Sequence, residues 1–165
     1  QERAAEMFRK AADAGNPYAM FELGAMYAVG RGVKKNYVKA SKYLRLSGTE
    51  QARAMLEDSV NWWRPAAERG ITEGEYQYGV CLVNGYGVEP NYAEGYKWLY
   101  SAALKDHPKA LDALSQIYEF GIGVEPDKGK ALFWKKKYCD VTGTAPGDVG
   151  ITRDQLVSPE PQETE

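Results

Sequence analysis

The residues with the clearest capacity for chemistry are paired glycines. Residues 84–88 read Asn-Gly-Tyr-Gly-Val, and glycines at this spacing occur in loops whose backbone amides bind phosphate. The same spacing also suits a turn between two helices, because glycine adopts positive φ without steric cost. A nucleotide-binding glycine loop occurs once, follows a strand, and carries a third glycine or a Lys-Ser/Thr pair. The number of copies therefore separates the two interpretations.

The Gly-x-Gly-Val segment occurs three times, in stretches that align without a gap. These stretches begin at Ala19, Gly74 and Ala110. None carries the third glycine or the Lys-Ser/Thr pair, and a recurrent unit of this length is typical of stacked helix pairs. We therefore predict that the glycines end one helix and reverse the chain, at Gly30, Gly32, Gly85, Gly87, Gly121 and Gly123.

Each stretch predicts two helices. Small or apolar residues at i, i+4 and i+8 form one face of the first helix, and Pro17 and Pro108 suit a first helical turn. An amide or acid follows each glycine pair and is predicted to cap the second helix. The predicted caps are Asn36, Asn91 and Asp127, and the aligned aromatics that we expect in the core are Tyr43, Trp98 and Trp134.

Two further segments resemble second helices without a first helix. Residues 7–15 align with residues 62–70, so the chain begins with an unpartnered helix. Residues 47–65 predict an inserted helix, with Ser47 and Glu50 at capping-box spacing and Pro65 expected to kink or restart it. The repeats are predicted to span residues 1–139. Residues 140–165 are predicted to be an extended or disordered tail with a short turn at 152–156.

These motifs resemble the Sel-1-like repeat (SLR) family, a relative of the tetratricopeptide repeats. The pattern A-x3-L-x3-Y-x2-G-x-G-V, then a cap and A-x2-W, is carried by Ala19, Leu23, Tyr27, Gly30, Gly32, Val33, Asn36, Ala40 and Tyr43, and recurs twice. The resemblance implies an all-α fold, a right-handed α/α solenoid of antiparallel helix pairs. It also implies a non-catalytic adaptor, scaffold or immunity protein that binds a protein or peptide partner. Secreted and periplasmic members favour such a location, while the residues leave the compartment open.

Solenoids bind partners on an extended concave surface, which the first helices usually line. On those helices, the residues that point away from the second helix include two aromatics, a type enriched at interfaces. In the Trp62–Trp63 pair, the alignment predicts a buried Trp62 and leaves Trp63 as either a surface anchor or a packed residue. The predicted partner-binding residues are Phe21, Glu22, Tyr76, Gln77, Asn84 and Trp63. Phe120 is expected either at this surface or in the core at a corner.

Composition and side-chain chemistry narrow the function further. Twenty-one Lys and Arg against 23 Asp and Glu provide no basic excess for nucleic acid, and no apolar run is long enough to span a membrane. His107 is expected to cap a helix, and Cys81 to be buried, whereas Cys139 is expected to be exposed. We expect no cofactor, metal or small-molecule substrate. The alternatives are a structural spacer within a larger repeat protein and a penicillin-recognising hydrolase, for which the sequence offers neither nucleophile nor base.

Overall fold

A computed structural model describes residues 1–150, which form helices and no strand. The predicted all-α class is therefore confirmed for these residues. The helices are α1 (Glu2–Asp13), α2 (Pro17–Val29), α3 (Tyr37–Ser47), α4 (Glu50–Glu68), α5 (Thr72–Asn84), α6 (Tyr92–Leu104), α7 (Pro108–Phe120) and α8 (Lys128–Thr142), followed by a 3-10 helix at Pro146–Val149. We call the helix pairs α2–α3, α5–α6 and α7–α8 repeats 1, 2 and 3, and the single helices α1 and α4 half-repeats.

The corners of the repeats have the predicted left-handed glycines. The first glycine ends the first helix at φ 78°, 64° and 68°, in Gly30, Gly85 and Gly121. The second glycine also has positive φ, in Gly32, Gly87 and Gly123. This conformation is strained for any residue with a Cβ, so the corner depends on glycine at both positions.

The predicted caps begin the second helices. The Oδ1 atoms of Asn36, Asn91 and Asp127 accept hydrogen bonds from N–H groups three residues later, at 2.9, 3.1 and 3.0 Å. Their own N–H groups donate back to the carbonyls of Tyr27, Leu82 and Tyr118, each at 2.9 Å. Each cap therefore joins the end of one helix to the start of the next.

The chain forms two compact regions, Gln1–Trp98 and Leu99 onward, and each is described by itself. In the first region, α1, α2, α3 and α4 enclose a core that includes Leu23, Leu44 and Leu56. A second cluster joins α4 and α5 through Ala67, Tyr78 and Leu82. In the second region, α7 packs on α8, and this contact buries the side chains of Leu111, Leu114 and Trp134.

Glycines allow some of these helices to approach closely. A Cβ on Gly24 would lie 2.8 Å from the Leu44 side chain on α3, and one on Gly95 would lie 3.0 Å from the Gly79 carbonyl on α5. Gly24 therefore lets α2 approach α3 closely, and Gly95 lets α6 approach α5.

The insert differs from its prediction at both ends. It is one helix, α4, but its cap is Thr49, whose Oγ1 accepts from the Ala52 N–H at 3.2 Å. Ser47 ends α3 instead, and its Oγ donates to the Leu44 carbonyl at 2.7 Å. The helix does not restart at Pro65 but continues to Glu68. The capping-box spacing misled here because Ser and Thr lie two residues apart, and either could cap.

The end of the last helix lies beyond the predicted boundary. α8 continues to Thr142, and its last turn buries Cys139, which was expected to be exposed. Gly143 then ends the helix at φ 68°. The short turn predicted at residues 152–156 lies outside the described residues.

Candidate functional site

Repeat 1 places its predicted binding residues at the edge of the core. Phe21 is half-buried and packs against the cluster of α1, α2 and α3. The Glu22 carboxylate lies 3.7 Å from the Arg31 guanidinium and is mostly shielded from solvent. A half-buried aromatic is held in one orientation and still presents an edge, which is the geometry of many interface anchors.

Repeat 2 holds the equivalent residues in the same way. Tyr76 and Gln77 are half-buried, and Gln77 Nε2 donates to the Glu73 carboxylate at 2.7 Å. Asn84 Nδ2 donates to the Val80 carbonyl at 2.8 Å in the last turn of α5. The aligned residues Phe21 and Tyr76 therefore present partly accessible aromatic surface in two repeats, which we call the first-helix face. In repeat 3 the aligned residue is Asp112, and Phe120 is 68% exposed, so it is not a core residue.

The structure contradicts the prediction of a buried Trp62, whereas both alternatives were open for Trp63. Trp62 is 72% exposed, whereas Trp63 is half-buried against the cluster of Ala67, Tyr78 and Leu82. The alignment of Trp62 with Tyr43 and Trp98 nevertheless identifies the cause. In the complete repeats, the first helix supplies a tyrosine to this aromatic, Tyr27 to Tyr43 with centroids 6.0 Å apart, and Tyr78 to Trp98 at 5.8 Å. Trp62 belongs to a half-repeat, so no first helix covers it.

The first helix of the chain, α1, presents the aligned residues in the same way. Met7 aligns with Trp62 and is also 72% exposed, while Phe8, like Trp63, packs inward. Both half-repeats still act as second helices towards the repeat that follows them. The Arg9 guanidinium donates to the Tyr27 hydroxyl at 3.1 Å. The aligned Arg64 forms no such bond with Tyr78. A hydrogen bond with Glu68 is the main cause that raises the pKa of its guanidinium, and the nearby Tyr78 raises it further.

The glycine corners do not offer a phosphate site. The N–H groups that follow the first glycines, at Arg31, Tyr86 and Ile122, donate to helix carbonyls at 3.0, 2.9 and 3.0 Å. Amides that already bond the helix end cannot also converge on an anion. The second glycine instead approaches other backbone, because a Cβ on Gly87 would overlap the Leu56 carbonyl of α4.

Histidine and cysteine have structural positions. His107 caps α7, where its Nδ1 accepts from the Ala110 N–H at 3.3 Å, as predicted. Burial raises the pKa of the Cys81 thiol to about 12, and burial also raises the pKa of the Cys139 thiol. Both thiols are free. Raised thiol pKa values disfavour the thiolate, which is the reactive form.

The sequence did not single out Tyr86, which lies within the repeat 2 corner. It is 3% exposed, its ring lies 5.2 Å from that of Tyr37, and burial raises its pKa to about 12. The aligned residues are Arg31 and Ile122, so the repeat pattern carries no signal for this position.

Within residues 1–150, no group of three or more His, Cys, Asp and Glu side chains is arranged to hold a metal ion. No helix in that range is long and apolar enough to cross a membrane.

The repeats match a known family model. The model of the Sel1 repeat matches residues 1–16, 17–50, 56–71, 72–107 and 108–137, most of the chain. The chain belongs to the Sel1 repeat family. The model matches α1 and the second part of α4 over short segments, in agreement with their description as half-repeats. Sel1 repeats commonly serve as protein-interaction modules, and proteins of this family are typically non-catalytic.

Relatives of this Sel1 repeat chain come from bacteria and yeast. An uncharacterised protein of Neisseria meningitidis serogroup B is 28% identical over 151 residues, 84% of this chain and 32% of the relative. Chitin synthase regulatory factor 2 of Schizosaccharomyces pombe is 27% identical over 79 residues, 47% of this chain and 15% of that protein. The chain thus spans a third or less of the length of these relatives.

Two crystal structures of SLR proteins are similar to this chain. One is a protective antigen of uropathogenic Escherichia coli strains that displays an SLR fold, with 25% identity, a TM-score of 0.48, and coverage of 82% of this chain and 33% of that one. The other is a Sel1 repeat protein from Oxalobacter formigenes, with 26% identity, a TM-score of 0.49, and coverage of 98% and 74%.

Proposed function

We propose that this chain is a non-catalytic module that holds a protein or peptide partner on the first-helix face. The observation that carries the proposal is the pair of aligned aromatics, Phe21 and Tyr76, which are packed on one side and accessible on the other. Aromatic side chains supply large contact area at a low cost in conformational entropy, so they dominate many interfaces. The partner is proposed to contact Glu22, Gln77 and Asn84 beside them.

The polar residues of the face suit recognition rather than catalysis. Glu22 already pairs with Arg31, and Gln77 and Asn84 bond within their own helix. Such internal bonds hold the side chains in defined positions, which lowers the entropy that a partner must overcome on binding. The carboxylate among these residues, Glu22, is paired with Arg31, and this arrangement favours binding.

The test compares partner capture by wild type with capture by two variants. Phe21→Ala/Tyr76→Ala removes the aromatic anchors, and we expect the captured partner to be lost. Because Phe21 also contacts the core, a second variant is needed that spares it. Gln77→Lys preserves a favourable pair with Glu73 at i−4 while changing the charge of the face, and we expect it to reduce capture as well.

The control is Phe133→Ala, which removes an exposed aromatic from α8. Circular dichroism verifies that each variant is folded. A partner that folded variants of the first-helix face retain as well as wild type would contradict the proposal.

A further inference from the structure

We propose that the exposed side of α4 is a docking groove for one amphipathic helix of a partner protein, with an aromatic anchor and a net positive charge. The groove is separate from the first-helix face, since no residue of α2 or α5 lines it. The inference therefore does not rest on the function proposed above.

The groove lies where a complete repeat would have its first helix. α3 ends at Ser47 and α4 begins at Glu50, so the connection has no room for another helix. In repeats 1 and 2 the first helix covers the aromatic that aligns with Trp62. In the half-repeat that helix is missing, and 72% of Trp62 is exposed. Trp62, Met55 and Trp63 together form an apolar patch, and such patches are typical of binding surfaces.

The residues that line the groove lie on one side of α4. Gln51, Met55, Asp58 and Trp62 follow one another at intervals of four, three and four residues, which places them in one row. A neighbouring row, Leu56, Val60, Trp63 and Ala67, packs into the two core clusters, and Met55 and Trp63 lie at the boundary between the two rows. α4 therefore has one side that packs on its own chain and a second side that leaves Trp62 open to a partner.

The complete repeats indicate what the docked helix would contact. The position four residues before the aromatic is Lys39 in repeat 1, Glu94 in repeat 2 and Lys130 in repeat 3. Both ammonium groups lie 5.3 Å from the ring centre of the first helix's tyrosine, Tyr27 or Tyr118. This position therefore borders the first helix directly. In the half-repeat it is Asp58, so a docked helix meets a carboxylate there.

The charge of the groove selects its occupant. Among residues 1–150, Asp58 forms no ion pair, and no Lys or Arg lines the groove. A second copy docked symmetrically through this side would add another Asp58 and no counter-charge. A partner helix with Lys or Arg beside its aromatic residue neutralises the carboxylate, and steering by opposite charge favours its association.

The probe is a synthetic helix with the pattern of a first helix. It has the sequence of residues 108–121, including Tyr118, with Asp112→Lys and Glu119→Lys to make it cationic. Its fluorescence anisotropy is followed as the full chain is added. We expect binding that Trp62→Ala weakens roughly tenfold or more, because loss of a central aromatic anchor has effects of this size.

A charge-matched series tests the role of Asp58. The same peptide with its natural Asp112 and Glu119 is expected to bind about two- to fivefold more weakly, as is usual for exposed charge pairs. Asp58→Asn is expected to remove this difference between the two peptides, and 1 M salt to reduce it.

One control is a variant that removes an exposed aromatic outside the groove, and the other is a measurement of the oligomeric state. Phe120→Ala, which removes an aromatic that is about as exposed as Trp62, should bind the cationic peptide like wild type. No binding, or equal binding to a folded Trp62→Ala chain, would overturn the proposal. Sedimentation showing a wild-type dimer that Trp62→Ala dissociates would assign the groove to a second copy and also overturn it. None of these variants changes Phe21 or Tyr76, so the results do not bear on the function proposed above.

Discussion

Single residues determine the corners of this protein. Glycines reverse the chain at positive φ, and a capping side chain then begins the next helix in each repeat. Both requirements are local, because they follow from backbone sterics and from the unpaired N–H groups of a helix end. For this reason the sequence pattern predicted Gly30, Asn36 and their aligned residues correctly.

Two glycine variants separate the stability cost of backbone strain from the cost of steric crowding. Gly121 and Gly143 end α7 and α8, and both have φ 68°. A Cβ on Gly121 would lie 2.7 Å from the Pro126 ring, whereas one on Gly143 meets nothing within 4 Å. We expect Gly143→Ala to cost about 1–2 kcal/mol of unfolding free energy from strain alone. Gly121→Ala should cost about 1–3 kcal/mol more, from overpacking.

Chemical denaturation of the two variants measures this difference. Equal losses would contradict the role assigned to Pro126.

The burial of a helical residue depends on which other helices pack against it. Aligned residues have different burial when the neighbouring helix is missing, as Trp62 and Trp98 show. Trp63 and Trp62 are adjacent in the chain, yet one packs on Tyr78 and Leu82 while the other is open. Their 100° separation around α4 turns Trp63 towards α5 and Trp62 towards the place of the missing first helix, so Trp62 is exposed although its alignment with Trp98 holds.

The contact between α4 and α5 requires a glycine. A Cβ on Gly74 would lie 2.6 Å from the Ala66 Cβ and 2.8 Å from backbone atoms of α4. We expect Gly74→Ala to lower stability by about 1–3 kcal/mol, because the two helices must move apart. The matched control is Gly129→Ala on the exposed first turn of α8, where helix propensity favours alanine and a Cβ would lie 3.3 Å from the Asp127 Oδ1, so we expect a change of no more than about 1 kcal/mol.

Thermal unfolding followed by circular dichroism compares the two variants. A Gly74→Ala protein as stable as Gly129→Ala would show that α4 and α5 do not need their close approach.

At the scale of the whole molecule, burial affects ionisation. Desolvation raises the pKa of Cys81, Tyr37 and Tyr86 to about 12, and all three lie in the first compact region. The unfolded chain ionises these groups at lower pH, near 8.5 for a thiol and near 10 for a phenol. Their contribution to stability is therefore complete below about pH 8.5 and is lost as the pH rises towards 12.

The corresponding prediction concerns alkaline stability. The melting temperature should fall as the pH rises above about 9. Cys81→Ala should make this fall less steep between pH 9 and 10, because there the unfolded thiol ionises before the phenols. Melting curves of wild type and variant from pH 7 to 11 provide the measurement. Parallel curves across this range would show that the buried thiol does not contribute to the pH dependence.

The sequence alone determined the all-α class, the three repeats, their corners and caps, and the two half-repeats. These features arise from short-range patterns, which backbone sterics and hydrogen bonding translate directly into local structure. The tertiary structure alone decided that Thr49 rather than Ser47 caps α4, that Cys139 is buried, and that Trp62 is exposed. These outcomes depend on which helices meet in space, and a linear pattern does not record a neighbour that is missing.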